Sequence, residues 1–269
     1  MRHVMAMISA AAVVVGGMVA SNGAYASDAY YAKGDGNAAN GEKIFREGKG
    51  SVPACASCHG EDGSGSDDLA TPRLAGQFFS FLVKQLEDFA SDKRKDTTMF
   101  VMNDNAKGLT TQDRRDVATY LSEKHIDFRG SDLEALKAAG TDVGEAYRGR
   151  AIVEYGSPRR DDGFPKELGS KGGGVPACKS CHGYAGRGAP NMYPMIGRQR
   201  YTYLVNQLKK WRDGAADPNG QNARTNDPMG QMRAVAARLS DDDILSAAAY
   251  LTGADPLTPG NDRAPYDHH

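Results

Sequence analysis

The motif that decides the fold of this chain occurs twice, as Cys55-Ala56-Ser57-Cys58-His59-Gly60 and as Cys178-Lys179-Ser180-Cys181-His182-Gly183. Together the two copies contain all four cysteines of the 269-residue sequence. Val-Pro-Ala precedes each copy, at residues 52–54 and 175–177. The shared flanks indicate that a unit longer than the motif has been repeated.

The repeat continues on both sides of the motif and keeps the same order throughout. Upstream, residues 41–48 match residues 149–156. Downstream, the matched pairs are Pro72 and Pro194, Gln77 and Gln199, Gln85 and Gln207, Phe89 and Trp211, Met102 and Met232, Leu109 and Leu239, and Tyr120 and Tyr250. Colinear matches over this length identify one domain that was duplicated in tandem.

Apolar residues at helical spacing predict the same three helices in each copy, at about 38–47, 78–90 and from 110 onward, and at about 148–154, 200–213 and from 240 onward. The third helix is marked most clearly, because Thr110 and Ser240 each precede acidic residues that suit a helix N-terminus. No strand or hairpin signal accompanies these helices. We therefore predict an all-α protein of two tandem domains.

The predicted organisation is a signal peptide at 1–26, a first domain at 27–128, a linker at 129–143, a second domain at 144–256 and a tail at 257–269. The signal peptide is indicated by the apolar stretch 4–20 and by Ala24 and Ala26, which form a cleavage site before Ser27. An uncleaved anchor is the alternative, although the apolar stretch is shorter than the roughly 20 residues that a membrane span needs. Export would place the chain in an oxidising, extracytoplasmic compartment.

A Cys-x-x-Cys-His motif in an exported protein is the attachment signature of c-type haem. The spacing lets two thiols of one helical turn reach the two vinyl groups of a porphyrin, and the next residue offers an imidazole to the iron. A zinc site shared by the four cysteines, a thioredoxin-like redox pair and two disulfides are the alternatives. The zinc site and the disulfides do not explain a histidine after both cysteine pairs, and a thioredoxin-like pair needs a strand–helix setting that the sequence does not indicate. We predict two covalently attached haem c groups, held by Cys55, Cys58, Cys178 and Cys181.

The ligands of the two irons are predicted to be His59 with Met102 and His182 with Met232. Each methionine lies seven residues before the leucine that leads into the third helix, in a segment predicted to be a loop. Methionine is a soft ligand that raises the reduction potential of a haem. Met99 and Met229 remain alternatives because each lies three residues away.

Pro72 and Pro194 each follow the motif at the same place in the repeat. A carbonyl at this position could accept the Nδ1–H of the preceding histidine and fix the orientation of its ring. The other interpretation is that each proline only stiffens a turn.

Residues 36–253 resemble the diheme cytochrome c4 family, which has tandem class I cytochrome c domains. The resemblance rests on the paired Cys-x-x-Cys-His-Gly, Pro-x-Leu/Ile-x-x-Gln, Gln-Leu and loop-methionine elements. It implies a periplasmic electron carrier whose donor is a quinol-oxidising complex and whose acceptor is a terminal oxidase or reductase, with loose membrane association as an option. It also implies two haems near one another across a pseudo-twofold interface.

Two other function classes stay open. A diheme enzyme related to peroxidases or thiosulfate dehydrogenases would use similar domains but would need an open or unusual iron ligand. An electron-transfer subunit of a larger complex is the second alternative. Because both copies offer a methionine, we predict an electron carrier and no catalytic residue.

The distribution of charge bears on the partners of the protein. The formal net charge of −1 provides none of the basic excess that nucleic-acid binding needs. Residues 27–140 hold 15 Lys and Arg against 19 Asp and Glu, whereas residues 141–269 hold 17 against 15. The more positive half also contains an inserted loop, residues 157–174. The positive half is expected to meet the more acidic redox partner, and the alternative is that the loop is solvated and has no partner. The basic side chains of the loop are Arg159, Arg160, Lys166 and Lys171.

Overall fold

The computed structural model describes residues 35–124, 130–157 and 174–255, and shows two α-helical halves. The predicted signal peptide, most of the inserted loop and the predicted tail lie outside the described residues. Within the described ranges, β pairing is limited to isolated bridges such as Lys49 with Val52 and Ser157 with Val175. The all-α prediction is confirmed.

The helices of the first half are α1 (Ala38–Glu47), α2 (Ala56–His59), α3 (Phe79–Ala90), α4 (Met102–Lys107) and α5 (Thr111–Glu123). Helix α6 (Leu133–Ala138) follows within the predicted linker. The second half contains α7 (Ala146–Tyr155), α8 (Lys179–His182), α9 (Tyr201–Ala216), α10 (Gln231–Ala236) and α11 (Asp241–Gly253). None of the described helices combines the length and the apolar character that crossing a membrane requires.

The predicted helices form, with shifted ends. Helix α7 begins before residue 148, and α9 continues to Ala216, three residues beyond the predicted end at 213. The capping predictions are confirmed, because Thr110 and Ser240 each form a capping box with the aspartate three residues later, Asp113 and Asp243.

In each half the first and last long helices pack against each other, α1 on α5 and α7 on α11. Each crossing takes place at a glycine. A Cβ atom on Gly41 would lie 2.0 Å from the carbonyl oxygen of Asp116, and one on Gly149 would lie 1.8 Å from that of Ser246. The duplicated glycine therefore permits the close helix contact that encloses each core.

Gly149→Ala is expected to destabilise the second half by about 3 kcal/mol, because the added methyl group must push two helix backbones apart. Urea unfolding of the haem-loaded protein measures this loss. Gly253→Ala on α11 is the matched control, since a Cβ there meets nothing within 4 Å, and it should be neutral or slightly stabilising. Equal stability of the two variants would contradict the crossing described here.

Candidate haem-binding sites

The two cysteines of each motif lie on a single turn of helix. The backbone N–H of His59 donates to the carbonyl of Cys55 at 3.0 Å, and that of His182 donates to the carbonyl of Cys178 at 2.9 Å. Gly60 then takes a left-handed φ of 77°, and Gly183 takes 69°, a conformation that glycine adopts without steric cost. The chain therefore turns away immediately after each histidine.

Both motif histidines are buried and held in one orientation. His59 and His182 are each 6% exposed. The Nδ1–H of His59 donates to the carbonyl of Pro72 at 3.2 Å, and that of His182 donates to the carbonyl of Pro194 at 2.9 Å. Of the two interpretations of Pro72 and Pro194, these bonds favour the one in which the proline carbonyls orient the rings.

The charge state of the two histidines also suits metal binding. Burial lowers the pKa of both rings, and the carbonyl bonds only partly oppose it. Each ring is therefore neutral near pH 7, with its proton on Nδ1 and its lone pair on Nε2. A neutral imidazole whose Nδ1–H is bonded to a carbonyl is the form in which histidine binds iron.

No disulfide joins the four cysteines, all of which lie in the described part of the chain, and this differs from the disulfide alternative. Burial raises the pKa of Cys55 to about 11 and that of Cys178 to about 12. Among the described residues, which include all four cysteines, no three His, Cys, Asp or Glu side chains group closely enough to hold a metal ion. Two thiols and one neutral imidazole in each half fit a covalently attached haem, whose iron would take the histidine Nε2.

The methionine segments differ from the prediction in their local structure. Met102 is the first residue of α4 and Met232 the second residue of α10, so both lie on short helices and not in loops. In the second half Met229 is 90% exposed, whereas Met232 is half-buried. Burial therefore favours Met232 over its neighbour. Both Met99 and Met102 are half-buried, and the repeat is what favours Met102.

An aspartate fixes each methionine segment. The carboxylate of Asp96 accepts hydrogen bonds of 2.9–3.3 Å from the backbone N–H groups of Thr98, Met99, Val101 and Met102. Burial alone would raise the pKa of Asp96, but these bonds outweigh it and leave the pKa below its ordinary value. In the second half, Asp227 binds the backbone and side chain of Arg233, next to Met232.

Sequence reasoning missed a pair of buried arginines. Arg94 lies over the ring of Phe89 at 4.5 Å from its centroid, and Arg224 lies over that of Trp211 at 4.1 Å. Both arginines are at most 8% exposed. They could have been found from the repeat, since each lies five residues before the first methionine of its Met-x-x-Met element.

Comparison with known protein families detects the same duplication that the two sites show. The family model for cytochrome c matches the chain twice, at residues 38–124 and 171–255. Cytochrome c4 of Pseudomonas aeruginosa is 32% identical, with 77% of this chain and 86% of that protein covered. Cytochrome c4 of Azotobacter vinelandii is 30% identical, with 77% and 87% covered. The chain belongs to the diheme cytochrome c4 family. It is thus a c-type cytochrome that carries electrons on two covalently attached haem c groups.

Other relatives in this comparison carry a more specific name. The thiosulfate dehydrogenase electron acceptor of Stutzerimonas stutzeri is 32% identical over 80% of this chain and 86% of its own length. Reduced cytochrome c4 of Pseudomonas stutzeri superposes with a TM-score of 0.55 at 28% identity, covering 82% of this chain and all of that one. The thiosulfate dehydrogenase TsdBA of Marichromatium purpuratum superposes with a TM-score of 0.63 at 32% identity. The superposition covers 80% of this chain but only 39% of the TsdBA chain.

Proposed function

We propose that this protein is a periplasmic carrier of single electrons whose irons are ligated by His59 with Met102 and by His182 with Met232. The observation that carries the proposal is the state of the two histidines. Each is buried, neutral and bonded through Nδ1–H to a proline carbonyl, so that its Nε2 would be the atom that binds a haem iron. The exported precursor would comprise a signal peptide at 1–26 and domains at 27–128 and 144–256.

The residues of the chain have distinct tasks in this proposal. A bound haem supplies a reversible one-electron couple. The cysteines hold the group in place, the proline carbonyls fix the histidine rings, and the aspartates fix the methionine segments. A methionine on each iron leaves no position for a substrate, which favours a carrier over a peroxidase-like or thiosulfate-oxidising enzyme.

Two sources of electrons are compatible with the family. A quinol-oxidising complex is the donor implied by the resemblance to cytochromes c4, with a terminal oxidase or reductase as acceptor. A thiosulfate dehydrogenase is the second candidate donor. It is supported by the printed names of the relatives from Stutzerimonas stutzeri and Thiomonas intermedia and by the likeness to TsdBA.

We expect reduction by a redox partner to slow as salt is added, because the two halves differ in charge and the Debye length falls to roughly 8 Å at physiological salt. Stopped-flow reduction by a thiosulfate dehydrogenase, supplied with thiosulfate, measures this dependence. Dithionite reduction in the same salt series is the control for intrinsic effects on the haems. A rate that does not change with salt would contradict electrostatic docking.

Charge reversal locates the docking surface. Reversal of the four basic residues in loop 157–174 should reduce the rate and flatten its salt dependence. The matched control reverses four exposed lysines in the rest of the chain: Lys43, Lys93, Lys95 and Lys137. Equal effects of the two sets would show that only net charge matters, and would remove the loop from the proposal.

A further inference from the structure

Two buried glutamines cross between the halves at equivalent positions of the repeat. Gln77 donates from Nε2 to the carbonyl of Met195 at 2.8 Å, and its Oε1 accepts the backbone N–H of Met195 at 3.0 Å. Gln199 donates to the carbonyl of Arg73 at 3.0 Å and accepts the backbone N–H of Arg73 at 2.6 Å. We call Gln77 and Gln199 the crossed glutamines. They are 4% and 5% exposed.

The peptide groups that they bind are the ones that orient the haem histidines. The carbonyl of the Pro72–Arg73 peptide accepts His59, and the N–H of that same peptide donates to Gln199. The Pro194–Met195 peptide likewise joins His182 to Gln77. Each histidine is thus linked, through one peptide group, to a glutamine of the opposite half.

The crossed glutamines are themselves fixed at the starts of helices. The Oε1 of Gln77 also accepts the N–H of Phe78, the residue before α3, at 3.0 Å. The Oε1 of Gln199 accepts the N–H of Arg200, before α9, at 2.9 Å. Because both glutamines bind backbone atoms of the other half, the difference between Arg73 and Met195 at equivalent positions does not disturb the symmetry.

We propose that the crossed glutamines are positioning residues that tune each haem from the opposite half, Gln199 acting on the haem of His59 and Gln77 on that of His182. Hydrogen bonds in a chain polarise one another. A glutamine that accepts the peptide N–H makes the proline carbonyl a stronger acceptor for the histidine Nδ1–H. A stronger Nδ1–H bond makes the imidazole more basic and favours ferric iron, which lowers the reduction potential.

This inference rests on ligation by His59 and His182 in the proposed function. The side chain of Arg73 also crosses between the halves, to the sulfur of Met195 at 2.9 Å and the carbonyl of Gly197 at 3.3 Å.

Other hydrogen bonds between the halves lie away from the two proline carbonyls. Gln207 of the second half, for example, accepts a hydrogen bond from Arg94 of the first half at 3.0 Å and one within its own half from Arg224 at 2.7 Å. Gln207 therefore provides a control that removes a cross-interface bond without touching Pro72 or Pro194.

The test uses the complete haem-loaded protein with Gln199→Met, Gln77→Met and the control Gln207→Met. Methionine keeps the length of the side chain and removes its amide. In reduced protein labelled with ¹⁵N-histidine, Gln199→Met should move the Nδ1–H resonance of His59 upfield and leave that of His182 in place. It should also raise the potential of the first haem alone. Gln77→Met should give the converse, and Gln207→Met should give neither haem-selective shift.

Shifts in the haem of the mutated half, equal shifts in both haems, or no shift in either would overturn the proposal. Failure of the ligation itself looks different, since the native protein would then lack Nδ1–H signals shifted by a haem ring. Failure to exchange electrons with a partner leaves these measurements unaffected. If the methionine variants lose haem, the test is made on the native protein. The quantity measured is then the scalar coupling across the hydrogen bond between the Arg73 amide nitrogen and the Gln199 side-chain carbonyl carbon. Absence of that coupling overturns the proposal.

Discussion

The double variant Cys55→Ala, Cys58→Ala is expected to carry half of the covalently bound haem of the native protein. The two motifs lie on separate short helices in separate halves, so loss of one pair of thiols leaves the other attachment site intact. Haem content per chain, measured by the pyridine haemochrome assay after denaturation, gives the result directly.

Two comparisons make this experiment specific. Cys178→Ala with Cys181→Ala should give the same half-loss, and Ser57→Ala, inside the first motif, should retain full haem content. An alkylating reagent should also label no cysteine of the denatured native protein, because each thiol is bound to haem. If denaturation releases all haem from the native chain, covalent attachment at these cysteines is wrong.

Met102→Ala and Met232→Ala are each expected to remove about half of the methionine-to-iron charge-transfer absorption of the oxidised protein. Each variant leaves one iron with a histidine and an open or water-filled position, so its potential should fall. Absorption and magnetic circular dichroism of the oxidised variants measure the loss.

The neighbouring methionines are the matched controls. Met229 is 90% exposed, and Met229→Ala should leave the absorption unchanged. Met99→Ala should also leave it unchanged, although Met99 is half-buried like Met102. Loss of the band in either control would show instead that the iron ligand is that methionine, about one helical turn from the one assigned here.

The sequence could predict the parts of this fold that local chemistry determines. Thr110 and Ser240 predicted the starts of the last helices because their capping boxes involve residues within one turn. Pro72 and Pro194 were recognised because the repeat placed them at a fixed distance from each motif. The cysteines and histidines followed from a motif whose spacing reflects the porphyrin itself.

The features that sequence analysis missed depend on contacts between distant residues. Gln77 and Gln199 were matched in the repeat, but nothing local shows that each binds the backbone of the other half. The bonds of Asp96 similarly close a segment whose helical start at Met102 has no capping residue of its own. Polar residues that are matched in a repeat but unnecessary for one helix are the signal that could have identified such contacts.

The most direct test of the central claim is a reductive titration of the purified native protein, with and without carbon monoxide. We predict uptake of two electrons per chain and a reduced spectrum that carbon monoxide does not change at neutral pH, because Met102 and Met232 would keep carbon monoxide from both irons. Rapid binding of carbon monoxide to one ferrous haem would contradict ligation of both irons by methionine, since it would reveal an open iron of the kind that an enzyme uses.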